Sequence, residues 1–251
     1  MRDNTYTFHD IVWTILPWIL QTLVWIPTRI ILRFFFHIYV DGVEHVKDLH
    51  GPVIFAVNHT SFWDPILVTG ALPFFSRRFP MMYVAREKAY YHRYGKFFPM
   101  FLFKACGVHP AQGGIRDYAT SFITHERLLK KGRSLCMFPE GKVFRATEKI
   151  QPLKGGIGYL ACVTKSIVVH VVIYGMAEFR VQDFFKQSCS VQVLFGNPIP
   201  YDISMCPQHG IDVSHCVDAY KAYAEIIRTH MEMIVSSVEN ESSPERHNLV
   251  Y

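Results

Sequence analysis

The sequence predicts an α/β fold: a single mixed-sheet domain flanked by helices, preceded by an apolar helical segment that associates with membranes. Three observations predict it. Short runs rich in β-branched and aromatic residues alternate with amphipathic stretches, the pattern of strands separated by helices. A chain of 251 residues suits one hydrophobic core plus a short appendage. Half of the residues are hydrophobic and only 19% are charged, which leaves more apolar surface than one core absorbs.

The surplus sits at the start. From Ile11 to Val40 the chain is almost continuously apolar and aromatic, interrupted by Thr14, Pro17, Gln21, Thr22, Pro27, Thr28, Arg29, Arg33 and His37. Its uninterrupted part, Ile11 to Ile26, falls short of the ~20 residues that cross a bilayer, and two prolines and two arginines punctuate any extension. The reading is therefore one or two helices lying in the interface, peripheral rather than single-pass. Trp13, Trp18 and Trp25 are candidates for the headgroup boundary, and Arg29 and Arg33 for contact with lipid phosphates. A helix packed only on the protein's own core would need a more polar outer face. Asp3 and Asp10 offset Arg2 and no small-residue cleavage site follows, so this is not read as a secretory signal.

After Asp41-Gly42 the pattern changes. Val53 to Val57, Met81 to Val84, Leu135 to Phe138, Ile167 to Ile173 and Val191 to Phe195 read as buried strands, each brief and bounded by Gly, Pro or charge. Tyr118 to Lys130 is an amphipathic helix. Val217, Tyr220, Ala224, Ile227, Met231 and Ile234 recur at helical spacing and predict a long C-terminal helix with one face on the domain. The organisation is thus residues 1–40 as the membrane-associating segment, 41–238 as the main α/β domain and 239–251 as a polar tail.

Composition narrows the function. A net charge of +5 favours anionic partners without choosing among phosphorylated substrates, nucleic acid and anionic lipid. The six cysteines show no C-x-x-C pair and read as reduced thiols facing the cytoplasm, with no zinc site. His109, His125 and His170 lack metal-ligand spacing and read as structural or surface residues. Gly113-Gly114 and Gly155-Gly156 lack the lysine and hydroxyl of a nucleotide phosphate loop, which argues against a nucleotide enzyme.

Two stretches carry chemistry. In Asn58-His59-Thr60-Ser61-Phe62-Trp63-Asp64, a histidine leaves an apolar strand and an aspartate follows five residues later. In hydrogen-bonding reach, the carboxylate fixes the imidazole tautomer and the other ring nitrogen can take a proton from a hydroxyl. Alone, such a pair is commonly a cap or a surface contact. The second stretch, Phe138-Pro139-Glu140-Gly141-Lys142, follows another strand, where the proline ends the ladder and the glycine permits a tight turn. Strand ends of open α/β sheets are where ligand sites form, so Glu140 is a candidate for the same region as His59.

Together these stretches resemble the glycerolipid acyltransferases, which acylate glycerol 3-phosphate and lysophosphatidic acid. Asn58, His59 and Asp64 match the N-H-x-x-x-x-D block and Phe138 to Gly141 the F-P-E-G block, about eighty residues apart; the likeness covers roughly 41–200. The resemblance implies that Asp64 and His59 activate an acceptor hydroxyl for attack on an acyl thioester, from acyl-CoA or acyl-carrier protein, with no bound cofactor and no acyl-enzyme. The acceptor it implies is a lysophospholipid, chiefly 1-acyl-glycerol 3-phosphate. Asn58, Glu140, Gly141 and Lys142 would bind substrate. Where the family carries an arginine in its second block this chain has Gln112, and Arg116 stands four residues on as the substitute. Where its fourth block carries a proline, the chain reads Val168-Val169-His170-Val171-Val172.

The run Phe138 to Val143, followed by Lys154-Gly155-Gly156-Ile157-Gly158, is similar to the tafazzin-type transacylases. That likeness supports a second reading, transfer between phospholipids without a thioester. A third is a non-catalytic membrane-binding module on the same fold, against which the intact His59, Asp64 and Glu140 set argues. Finally, Arg77, Arg78, Arg86, Lys88, Arg93, Lys96 and Lys104 are interleaved with aromatics. Cations with rings suit single-stranded nucleic acid or a membrane surface. The apolar N-terminus favours the membrane, so the partners read are membrane lipids, the lysophospholipid acceptor and the acyl donor, not nucleic acid.

Overall fold

The computed structural model describes residues 8–74, 76–87, 100–112, 117–144, 147–177, 189–207 and 213–241. In chain order the elements are α1 (Phe8–Phe35), β1 (Phe36–Asp41), a 3-10 turn (Val43–Val46), β2 (Val53–Val57), α2 (Asp64–Ala71), β3 (Met81–Arg86) and α3 (Met100–Ala105). There follow β4 (Val108–Ala111), α4 (Tyr118–Lys130), β5 (Ser134–Met137), α5 (Gly156–Thr164), β6 (Ile167–Tyr174), β7 (Cys189–Phe195), a second 3-10 turn (Ile203–Met205) and α6 (Val213–Glu241). The strands form one mixed sheet in the order β1-β7-β6-β2-β5-β3-β4. Among the described strands, β6 and β7 pair antiparallel and the other neighbours pair in parallel. β2 lies centrally, between β5 and β6.

Parallel strands covered on both faces read as unbroken apolar runs, because each alternate side chain meets its own layer. β2 illustrates this. Val53, Phe55 and Val57 join Leu67 and Val68 of α2 and Leu32 of α1 on one face. Ile54 and Ala56 join Leu129 of α4, Leu160 of α5 and Ile227 and Met231 of α6 on the other. The central strand thereby delivers its C-terminal end to the sheet edge from a rigid core.

The sheet begins earlier than expected. Phe36 to Asp41 pair in parallel with β7, so the first strand of the sheet starts at Phe36. The alternation of Phe36, Ile38 and Val40 with His37, Tyr39 and Asp41 has strand period, but it continues an apolar stretch without a break.

The N-terminal segment is one helix of 28 residues containing Pro17 and Pro27. Within it Val12–Phe34, 23 residues, is long and apolar enough to cross a membrane. By length and composition a span is therefore possible beside the favoured interfacial position. Ile15, Leu23, Val24, Ile26, Ile30 and Phe34 are exposed. The opposite face is tied to the domain. Gln21 donates through Nε2 to the Met81 carbonyl at 2.7 Å and accepts from the Met81 amide at 2.8 Å. Trp25 Nε1 donates to the Leu72 carbonyl at 3.1 Å, and Arg29 to the Gly70 carbonyl at 2.8 Å. Trp25 and Arg29, expected at lipid headgroups, thus have donors directed at protein backbone. Trp18 is half exposed and Arg33 is exposed, while Lys104 Nζ lies 4.3 Å from the centre of the Trp13 ring.

Two further expectations are corrected. Cys162 of α5 and Cys206 after β7 form a disulfide across 44 residues of sequence, so these two are not reduced thiols. Their pairing is set by the packing of α5 against the returning chain, which no local spacing encodes. Arg78, grouped with a surface cation cluster, is buried and donates to the carbonyls of Gly51 and Leu49. Lys88, Arg93 and Lys96 lie outside the described residues.

His109, His125 and His170 are interior, 7%, 0% and 3% exposed. Burial, first among the causes, pushes each down to about 4. The fold holds them neutral, while the unfolded chain takes up protons from its ordinary value of 6.5 downward. Their contribution is complete above about pH 6.5, is lost as pH falls toward about 4, and is flat below. Each is worth about 3 kcal/mol over that window. A lower urea midpoint at about pH 5 than at about pH 7 is expected, and an unchanged midpoint would show that these histidines accept protons in place.

Candidate active site

Asn58 leaves the end of β2 without losing the ladder. Its side-chain amide donates to the Ile173 carbonyl at 2.9 Å and accepts from the Ile173 N–H at 2.7 Å, imitating a backbone strand pair on β6. Asn58 is buried, and the two bonds fix the strand exit. The chain then turns into α2, whose first residue is Asp64.

Asp64 is fully buried and collects donors. Its Oδ2 accepts from His59 Nδ1 at 2.8 Å, Thr60 N at 2.8 Å and Ser61 N at 2.9 Å, and Oδ1 accepts from the Ser61 hydroxyl. A carboxylate is acceptor-only, so the proton of the His59–Asp64 bond belongs to Nδ1 and the Nε2 lone pair is left free to act as a base. Ser61 Oγ also accepts from Trp63 N at 3.2 Å. With its proton on Asp64, that hydroxyl is spent structurally rather than poised as a nucleophile.

The Phe138–Gly141 turn completes a clamp on His59. The Phe138 ring stacks on the imidazole, with centroids 4.1 Å apart and planes 23° from parallel. Glu140 Oε2 accepts from the His59 backbone N–H at 3.1 Å, and the Phe144 N–H donates to the His59 carbonyl at 2.7 Å. Glu140 Oε1 accepts from Gln151 N at 3.1 Å. Each carboxylate oxygen accepts from one backbone amide, so Glu140 ties the turn to the His59 backbone. Burial raises its carboxyl above the usual range, an effect partly offset by the amides of Gln151 and His59.

The His59 ring remains 17% exposed. It lines a cavity of about 1740 Å³, larger than the several hundred Å³ of an ordinary ligand pocket. The wall is mainly apolar, with Ile66 of α2, Val84 of β3, Val108 of β4 and Phe122 of α4. Leu20, Val24 and Trp25 bring α1 into it. Gly141 and Lys142 stand at the same cavity, beside Lys154, Arg86 and Glu87. A base at the wall of a long apolar space can deprotonate a hydroxyl on a molecule that carries a hydrocarbon chain.

Of the expected site residues, His59, Asp64, Glu140, Gly141 and Lys142 are brought together; Asn58 supports them from behind, and Arg116 lies outside the described residues. Sequence reasoning missed Phe138 as a stacking partner, Phe144 and Gln151 as amide partners, and Gln21, which ties α1 to the cavity wall. Lys154 was visible only as part of a Lys-Gly-Gly run.

Residues 37–174, more than half of the chain, match the family model described as Acyltransferase. No curated protein sequence matches the chain. Among solved structures it is similar to the 1-acyl-sn-glycerophosphate (LPA) acyltransferase PlsC from Thermotoga maritima, with a TM-score of 0.54 and 17% identity. The likeness covers 86% of this chain and 81% of that one, and it shows a shared mixed α/β fold.

Proposed function

Because the chain belongs to the acyltransferase family, we propose that it acylates a lysophospholipid hydroxyl, with 1-acyl-glycerol 3-phosphate as acceptor and phosphatidic acid as product. The observation that carries this reading is the 2.8 Å contact of His59 Nδ1 with buried Asp64, beside an apolar cavity that reaches α1. His59 Nε2 takes the acceptor hydroxyl proton as that oxygen attacks the carbonyl carbon of an acyl thioester. The tetrahedral adduct collapses, the C–S bond breaks, and the imidazolium returns its proton to the leaving thiolate. Asp64 stabilises the imidazolium between those steps without taking a proton itself. The donor is acyl-CoA or acyl-carrier protein, a substrate rather than a cofactor. The acceptor proposed here is the one after which the similar 1-acyl-sn-glycerophosphate acyltransferase of Thermotoga maritima is named.

The apolar N-terminal helix suggests association with membranes. We favour α1 lying in the interface, because its polar side chains bond the domain while its apolar ones face outward. The Cys162–Cys206 bridge removes the support that free thiols gave to a cytoplasmic face, since disulfides persist in oxidising compartments.

The test is an assay of purified protein with labelled acyl-CoA, labelled acyl-carrier protein and a panel of lysolipids. Label is expected in phosphatidic acid. Label moving from phospholipid to lysophospholipid with no thioester present would instead support the transacylase reading, and failure of every pair would support a non-catalytic module.

A further inference from the structure

Gly141 holds φ +78°, a conformation glycine adopts at little cost, and its missing side chain is filled by a neighbour. A methyl group there would stand 2.5 Å from Lys154 Nζ, 2.7 Å from its Cε and 3.1 Å from its Cδ. The lysine stem therefore lies across the turn that clamps His59. Its backbone is locked in the same place, since Lys154 N donates to the Pro139 carbonyl at 2.9 Å. Beside it, Lys142 Nζ is held 4.5 Å from the centre of the Phe144 ring. The Lys154 ammonium borders the His59 cavity and has no ion pair among the described residues.

The geometry points to Lys154 as the group that receives the phosphate of the lipid acceptor and sets the preference for a phosphorylated one. This rests on the acyl-transfer reading above. Chemistry favours the acceptor over the donor. In 1-acyl-glycerol 3-phosphate the phosphate is borne by the carbon next to the one carrying the reacting hydroxyl, so a cation packed against the turn that clamps His59, at the same cavity, is placed to meet it. The pantetheine arm of CoA holds its phosphates far from the thioester carbonyl. Lysine acts on phosphate as a point charge and needs no forked geometry, which suits an ammonium held by its stem.

The experiment compares Lys154→Gln and Lys154→Arg with the unaltered protein. At saturating acyl-CoA, Lys154→Gln is expected to raise KM for 1-acyl-glycerol 3-phosphate by about 10- to 100-fold, the loss of one charge-assisted contact. Turnover of monoacylglycerol and KM for acyl-CoA are expected to hold, and Lys154→Arg to restore most of the preference. A rise in the KM for acyl-CoA instead, an equal loss with both acceptors, or no change overturns the assignment. A second measurement needs no turnover. In a His59→Ala background, tryptophan fluorescence reports binding to neutral vesicles containing either 1-acyl-glycerol 3-phosphate or monoacylglycerol, with and without Lys154→Gln. Selectivity for the phosphorylated lipid that disappears with Lys154→Gln supports the assignment even if no thioester is turned over, which would count against the acyltransferase reading alone. Equal binding of both lipids before Lys154 is altered overturns it.

Discussion

Replacing His59 by alanine is expected to lower kcat by about 10³- to 10⁴-fold with the fold and the membrane binding unchanged, the usual contribution of a positioned general base. The ring is partly exposed and its backbone bonds to Glu140 and Phe144 survive the substitution, so structure has little reason to suffer. Asp64→Asn makes the sharper case. An amide is isosteric with the carboxylate, and its oxygen can accept the three N–H donors that converge on Oδ2. Its NH₂ then faces the Ser61 hydroxyl, which can rotate to accept. What is lost is the charge that stabilises the imidazolium, and kcat is expected to fall about 10³-fold at unchanged far-UV circular dichroism. Because the two residues act as one unit, Asp64→Asn added to His59→Ala is expected to cost little more. An Asp64→Asn enzyme retaining most of its turnover would sink the proton-relay account, whatever the His59 result.

The parts of this site that were legible in the sequence are the ones built from near neighbours. His59 and Asp64 are five residues apart, and the spacing alone places them where a strand end meets a helix start. The central strands were legible because both faces are buried and the apolar runs are continuous. Edge strands were not. β4 is four residues long and contains His109 and Pro110, so nothing in its composition says strand until β3 pairs with it. Roles set by long-range backbone contacts were invisible for a related reason. Asn58 reaches Ile173, 115 residues away, and Glu140 reaches His59, 81 residues away. A motif can show that these side chains matter; only the fold shows which backbone amides they grip. Arg78 and the Cys162–Cys206 pair follow the same logic, since each depends on what the returning chain brings alongside.

That distinction makes Glu140 the most informative residue to change. A ligand-binding carboxylate and a positioning one predict opposite kinetics. Here Oε1 and Oε2 each accept one backbone N–H, from Gln151 and His59, and the residue is buried. Glu140→Ala leaves those two amides without their partner, at about 1–3 kcal/mol each, so Tm is expected to fall by roughly 5–15 °C. Activity is expected to fall about 100-fold through kcat, because the His59 backbone loses one of its two tethers and the imidazole drifts from its attack geometry. KM for the acceptor is expected to move little, since no substrate atom was held. Glu140→Gln should lie between. Its amide oxygen keeps one N–H, while its NH₂ confronts the other donor, and the two variants should rank in the same order in Tm and in kcat. A Glu140→Ala enzyme with normal Tm and kcat but a KM raised tenfold or more would return Glu140 to the substrate. It would also leave the His59 clamp resting on Phe138, Phe144 and Asp64 alone.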